Sequence, residues 1–381
     1  MTALLELIGD YTIQNVALGA ALLGIVSGAL GCFAVLREQS LLGDTLSHAA
    51  LPGVCLGFLV AGGRELGSIL AGALLTGVLA ALAMLALVRM TRLKTDAALG
   101  IALSLSFAAG VVLLTYIQGT GNASQGGLDA FLFGQAAAIL RRDLWVMGGI
   151  TAFALTMVAL LWKELKLVTF DPEFAGVIGL PVRLLDALLT VMVALAIVVG
   201  LQMVGVVLMA AMVIAPAVAA RQWARSLGIM VIVAALMGVA AGVFGAVVSA
   251  LGRGLATGPL VVLSASAITL VSLLIAPGRG LLWGLHRRLA FRRRLSQEAV
   301  LLTLYRLASA HEDPHYPTEQ GAVDAYHGVG TRRSLQALAR RGLVRSCQHM
   351  REEGAHWVLT RRGRSRAKYL QAGGDLARDG G

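Results

Sequence analysis

Nine apolar runs, near residues 15–36, 45–62, 67–88, 97–117, 143–162, 184–200, 203–219, 228–250 and 258–277, fill most of the first 280 residues. Each is about 17 to 23 residues long, the length an α-helix needs to cross the hydrocarbon core of a bilayer. In that medium each backbone N–H and C=O must be satisfied within its own segment, so such runs fold as helices. A chain that is 57% hydrophobic and 14% charged, with 46 glycines, lies outside the range of ordinary soluble proteins. The expected fold class is an all-α polytopic membrane protein with about nine transmembrane helices, and eight to ten are compatible with the shorter runs. Met1 to Asn15 carries Glu6 and Asp10 and no basic n-region, so a cleaved signal peptide is not expected.

The connections set the expected orientation. One alternating set holds Arg37, Arg89, Arg92, Lys94, Lys163, Lys166, Arg183, Arg221, Arg225 and everything from Arg279 onward; the other holds only Arg64, Arg141, Arg142 and Arg253. The richer set belongs on the cytoplasmic side, which puts the C-terminus inside and, for an odd number of spans, the N-terminus outside. Small residues recur at Gly19, Gly24, Gly28, Gly31, Gly238, Gly242 and Gly245, where helix backbones can approach closely, and are expected to form packing seams. Pro52, Pro216 and Pro259 interrupt spans, as helices that line a cavity often are.

Within the second run, Ser40 to Gly53, Asp44 and His48 stand four residues apart. On a helix they share one face, with Cβ atoms about 6 Å apart. A carboxylate oxygen and an imidazole nitrogen so placed form a two-ligand clamp for a borderline divalent cation such as zinc, manganese or iron. The alternative is a helix-capping acid beside an interior histidine. Two facts bear on the choice. An Asp at membrane depth costs about 2.5–3.5 kcal/mol, which makes a functional role the default. Of the seven histidines (His48, His286, His311, His315, His327, His349 and His356), His48 alone lies within the apolar part of the chain.

A second segment, Phe170 to Val182, falls in a cytoplasmic connection. Asp171 suits an N-cap, Pro172 the first turn, Glu173 the helix dipole and Gly179 the stop, which predicts a helix of about two turns. Such a helix can insert into a groove on a soluble partner, or it can be a connecting turn.

From Leu281 the chain changes character. Residues 281–381 hold 18 Lys and Arg against 9 Asp and Glu, whereas residues 1–280 hold 14 against 12. The expected domains are a transmembrane domain (1–280), a basic juxtamembrane linker touching anionic lipid (281–295), a small α/β cytoplasmic domain (296–372) and a disordered tail (373–381). Helices over 297–308, 319–326 and 331–341, a two-stranded wing over 344–359 turning near Glu352 to Gly354, and a last helix from Thr360 resemble a winged helix-turn-helix. His311, Glu312, Asp313 and His315, with His327 or His349, suggest a regulatory metal site; solvated surface histidines are the simpler alternative. Cys32, Cys55 and Cys347 form neither a disulfide framework nor a CxxC metal motif.

Taken together, the segments Ser40–Gly53, Phe170–Val182, Leu201–Val206 and Met212–Ala219 resemble the membrane permeases of metal-ion ATP-binding-cassette importers, over about residues 10–280. The resemblance implies a homodimeric permease of the bacterial inner membrane. It would be driven by cytoplasmic ATPase subunits and fed with a divalent cation (manganese, zinc or iron) by an extracytoplasmic metal-binding protein. It also implies that Asp44 and His48 form the intramembrane cation site, and that Asp171, Glu173, Gly179 and Leu180 form the segment docked on the ATPase. The cation is cargo, and no permanently bound cofactor is implied. Residues Arg253 to Pro259 depart from the family's pattern near the outer gate. The chain has no GxxxxGK[ST] phosphate loop, so it is expected to be a transport subunit and not an enzyme. Two other readings are a secondary cation transporter, against which the 170–182 segment speaks, and a membrane-tethered metal-responsive transcription regulator. The importer reading requires no DNA affinity, and DNA is not an expected partner.

Overall fold

A computed structural model of the protein describes residues 11–39, 41–62, 66–119, 134, 139–251, 255–277, 280–311, 313, 315–328, 330–347 and 355–372. It divides into two compact units, Met1–Leu281 and Leu282–Gly381.

The first unit is entirely helical among the described residues: α1 (Tyr11–Leu36), α2 (Leu42–Ala61), α3 (Leu66–Met90), α4 (Thr95–Gly119), α5 (Arg141–Leu160), α6 (Trp162–Phe170), α7 (Pro172–Val177), α8 (Val182–Val204), α9 (Val206–Trp223), α10 (Leu227–Leu251) and α11 (Thr257–Ile275). Eight of these are long and apolar enough to cross a membrane; α9, which carries Pro216, is the shorter ninth apolar helix. All nine expected runs are therefore helices. The α8–α9 break comes at Gly205, whose φ of +89° suits glycine and costs an L side chain. The segment Leu201–Val206 thus reads as a helix end and restart.

Burial separates inner from outer helices. In the most apolar stretches of α1, α2 and α8, 72, 67 and 67% of residues are buried, against 22–33% in α3, α4, α5, α10 and α11. The expected small-residue seam lies between α1 and α10. A Cβ at Gly24 would meet the backbone of Gly238, and one at Gly28 would stand 2.6 Å from the Ala234 carbonyl oxygen. Where α1 ends, Arg37 Nη1 pairs with Asp186 Oδ1 of α8 at 2.8 Å, tying the α1–α2 turn to the start of α8. Burial pulls the Arg37 guanidinium below its usual pKa, and the Asp186 carboxylate opposes that pull.

The second unit begins in α12 (Leu281–Ala310), so the basic run Arg287–Arg294 is part of one 30-residue helix that continues into the small domain. There follow β1 (Thr318–Glu319), α13 (Gln320–His327), α14 (Thr331–Arg340), β2 (Val344–Cys347), β3 (His356–Leu359) and α15 (Arg361–Gln371). The strands form one antiparallel sheet in the order β1-β3-β2, with Thr318 opposite Trp357 and Ser346 opposite Trp357 on the other side. Its core joins Val300, Leu301 and Leu304 of α12 to Val323, Leu335, Leu338 and Leu359. The tail from 373 and the wing turn at 352–354 lie outside the described residues.

Candidate metal site and coupling helix

Helix α2 starts at Leu42, and its first half is held from several directions. Thr45 Oγ1 donates to the carbonyls of Leu41 (2.8 Å) and of Leu99 on α4 (3.2 Å), while Ser47 Oγ donates to Gly43 (2.7 Å). A Cβ at Gly43 would stand 3.3 Å from Ala210 Cα, so α9 approaches closely there. A Cβ at Gly53 would overlap Gly72 and Thr76 of α3. From Leu42 to Cys55 every residue is buried except Asp44 and His48. This stretch of the helix is thus packed all round apart from the one line on which the acid and the imidazole sit.

Their side chains meet: His48 Nε2 lies 3.4 Å from Asp44 Oδ1, and the side chains are 18% and 38% exposed. The ring is wedged edge-on against Phe107 of α4, with centroids 5.0 Å apart and planes at 79°. Its Nδ1 is buried without a hydrogen-bond partner, which leaves Nε2 as the nitrogen turned toward the acid. Among the described residues no third His, Cys, Asp or Glu joins the pair. Phe107 and the Thr45–Leu99 hydrogen bond were not foreseeable from the chain order, because they depend on which helix packs beside α2.

The 170–182 segment folds as its residues suggest. Asp171 Oδ1 accepts the Phe174 N–H at 2.9 Å, Pro172 occupies the first helical position, and Gly179 leaves the helix at φ +88°. The Leu180 N–H reaches back to the Ala175 carbonyl at 3.0 Å, closing the C-terminus. Helix α7 is therefore six residues long and capped at both ends. Only Ala175 is buried. Glu173 is exposed, as are Phe174, Val177 and Ile178 at 52, 84 and 53%. These apolar residues were not singled out from the sequence, although their spacing of three and four residues carries the signal.

In the second unit the described histidines of the expected regulatory site each have a partner of their own. His311 Nδ1 sits 2.9 Å from the Leu307 carbonyl and its ring stacks on Tyr316, whereas His315 Nε2 lies 3.2 Å from Arg364 Nη2. His327 Nε2 lies 2.7 Å from Thr303 Oγ1. Glu312 and His349 lie outside the described residues, as does Arg253.

Comparison with known proteins bears on the whole first unit. Residues 9–276 match the family model described as "ABC 3 transport family". The manganese transport system membrane protein MntC of Bacillus subtilis (strain 168) is 48% identical over 292 residues, 77% of this chain and 67% of that protein. The zinc transport system membrane protein TroC of Treponema pallidum (strain Nichols) is 47% identical over 288 residues, 76% of this chain and 97% of that protein. The solved structure of PsaBC from Streptococcus pneumoniae in complex with Fab aligns with a TM-score of 0.65 at 34% identity, covering 73% of this chain and 98% of that one. The chain belongs to the ABC 3 transport family, the membrane permeases of metal-ion ATP-binding-cassette importers.

Proposed function

We propose that Asp44 and His48 are the point at which this permease holds its cargo. The protein is the membrane subunit of an ATP-binding-cassette importer for a divalent transition-metal cation, manganese, zinc or iron. The observation that carries the site is their isolation: on a helix otherwise buried from Leu42 to Cys55, an acid and an imidazole alone open outward, facing each other. Two ligands, each about 2.1 Å from a tetrahedral ion, stand about 3.4 Å apart. The 3.4 Å between Nε2 and Oδ1 matches that bite. Two protein ligands make a weak site, suited to an ion that must also leave.

The partial exposure of both side chains leaves room for further ligands from a second copy of the chain, which supports a homodimer with the ion path at its axis. In this reading an extracytoplasmic metal-binding protein releases the ion into an outward cavity. ATPase subunits then press on α7, through Glu173 and the knobs Phe174, Val177 and Ile178, to reopen the path inward. In this reading the C-terminus lies in the cytoplasm, which the distribution of Lys and Arg supports.

Expected outcome: in proteoliposomes holding the assembled importer, His48→Ala and Asp44→Ala each lower ATP-dependent uptake of the transported ion at least about tenfold. Basal ATP turnover and assembly stay unchanged. Wild-type uptake rates in both variants would remove the pair from the ion path, and assaying manganese, zinc and iron in parallel names the cargo.

A further inference from the structure

We propose that the second unit carries a duplex-DNA interface centred on the exposed face of α14, a role beyond transport. The unit has the element order helix, β1, α13, α14, β2, β3 with the sheet order β1-β3-β2, so α14 is the second helix of a helix-turn-helix followed by a two-stranded wing. In that arrangement the second helix lies in the major groove and presents residues from its N-terminal part to base edges.

The turn that sets α14 is built. Asp324 Oδ1 of α13 accepts hydrogen bonds from both the backbone N–H and the hydroxyl of Thr331, and Gly328 and Gly330 turn the chain at φ +79° and +125°. Thr331, Leu335 and Leu338 are buried in the domain core, which fixes the rotation of the helix about its axis.

What this rotation presents outward is Arg332, Arg333, Gln336 and Arg340, all exposed. Arg332, Gln336 and Arg340 recur every four residues along one stripe, and Arg333 flanks it. At 1.5 Å per residue the stripe runs about 12 Å, comparable to the width of a major groove at about 12 Å. Among the described residues no carboxylate pairs with these three arginines. Arginine reads guanine O6 and N7, and glutamine reads adenine N6 and N7. The same face is a poor fit to a lipid surface: interfacial helices bury leucines or aromatics in the acyl boundary, whereas the leucines of α14 are committed to the core.

The test uses the full-length protein in an uncharged detergent and a fluorescein-labelled random-sequence duplex pool. Repeated rounds of selection are expected to enrich one sequence, with affinity falling steeply as salt rises. The double variant Arg332→Gln, Arg333→Gln is expected to weaken binding of the enriched duplex at least about tenfold and to lower the slope of log K against log salt by about 2. Gln336→Ala is expected to relax preference at one base pair with the salt slope unchanged. Circular dichroism confirms that each variant keeps its fold. Three results overturn the proposal: no enriched sequence, enriched binding untouched by the arginine variants, or binding to vesicles of anionic phospholipid without binding to the duplex.

Discussion

Asp324 shows how a single half-buried carboxylate can organise a turn. It accepts hydrogen bonds from the Thr331 N–H and hydroxyl, and these hold its pKa below the ordinary carboxylate value of 3.8. A carboxylate depressed in the folded state stabilises it fully above the unfolded value, and that contribution disappears as pH falls through the folded value. Thermal unfolding of wild type and Asp324→Asn, followed from neutral pH downward, should therefore show the wild type more stable near neutrality. The two melting temperatures should converge below about pH 4; a difference independent of pH would assign the effect to something other than this charge. None of this was visible from the sequence, where Asp324 and Thr331 are merely seven residues apart. Asp44 and His48 were legible for the opposite reason, since an i, i+4 pair on a helix meets without help from the rest of the fold.

At the scale of elements, local chemistry fixed α7 almost residue for residue, because its cap, its Pro and its terminal Gly each act within one turn. The small-residue seam was half legible. Gly24 and Gly238 announce close approach by their size, but their pairing across α1 and α10 depends on packing over more than 200 residues of chain. Gly238→Leu drives a side chain into the α1 backbone and should cost at least about 1–3 kcal/mol. Gly100→Ala on α4, where a Cβ meets nothing within 4 Å, should be neutral or mildly stabilising. Melting temperatures of both variants in detergent measure this directly, and equal effects would dissolve the seam. Strand β1 escaped the sequence reading: at two residues it has no periodicity, and it exists because β3 offers an unpaired edge.

At the scale of the whole molecule, the permease reading makes α7 the element through which ATP hydrolysis acts. Glu173→Arg reverses an exposed charge on a helix anchored only by Ala175. In the reconstituted importer it should lower cargo-stimulated ATP turnover at least about tenfold and weaken copurification of the ATPase, while insertion in the membrane is unchanged. Full stimulated turnover would place the contact elsewhere.

By itself the sequence determined the medium, the helical class, the meeting of Asp44 with His48 and the capping of α7, because each follows from residues within one or a few helical turns and from the cost of polar groups in lipid. Only the tertiary structure decided that α1, α2 and α8 form the interior, that between Leu42 and Cys55 α2 is buried except at Asp44 and His48, and that Arg332, Arg333 and Arg340 are exposed on α14. Those facts arise from which helices pack together, and the free energy of that packing belongs to pairs of surfaces distant in the chain.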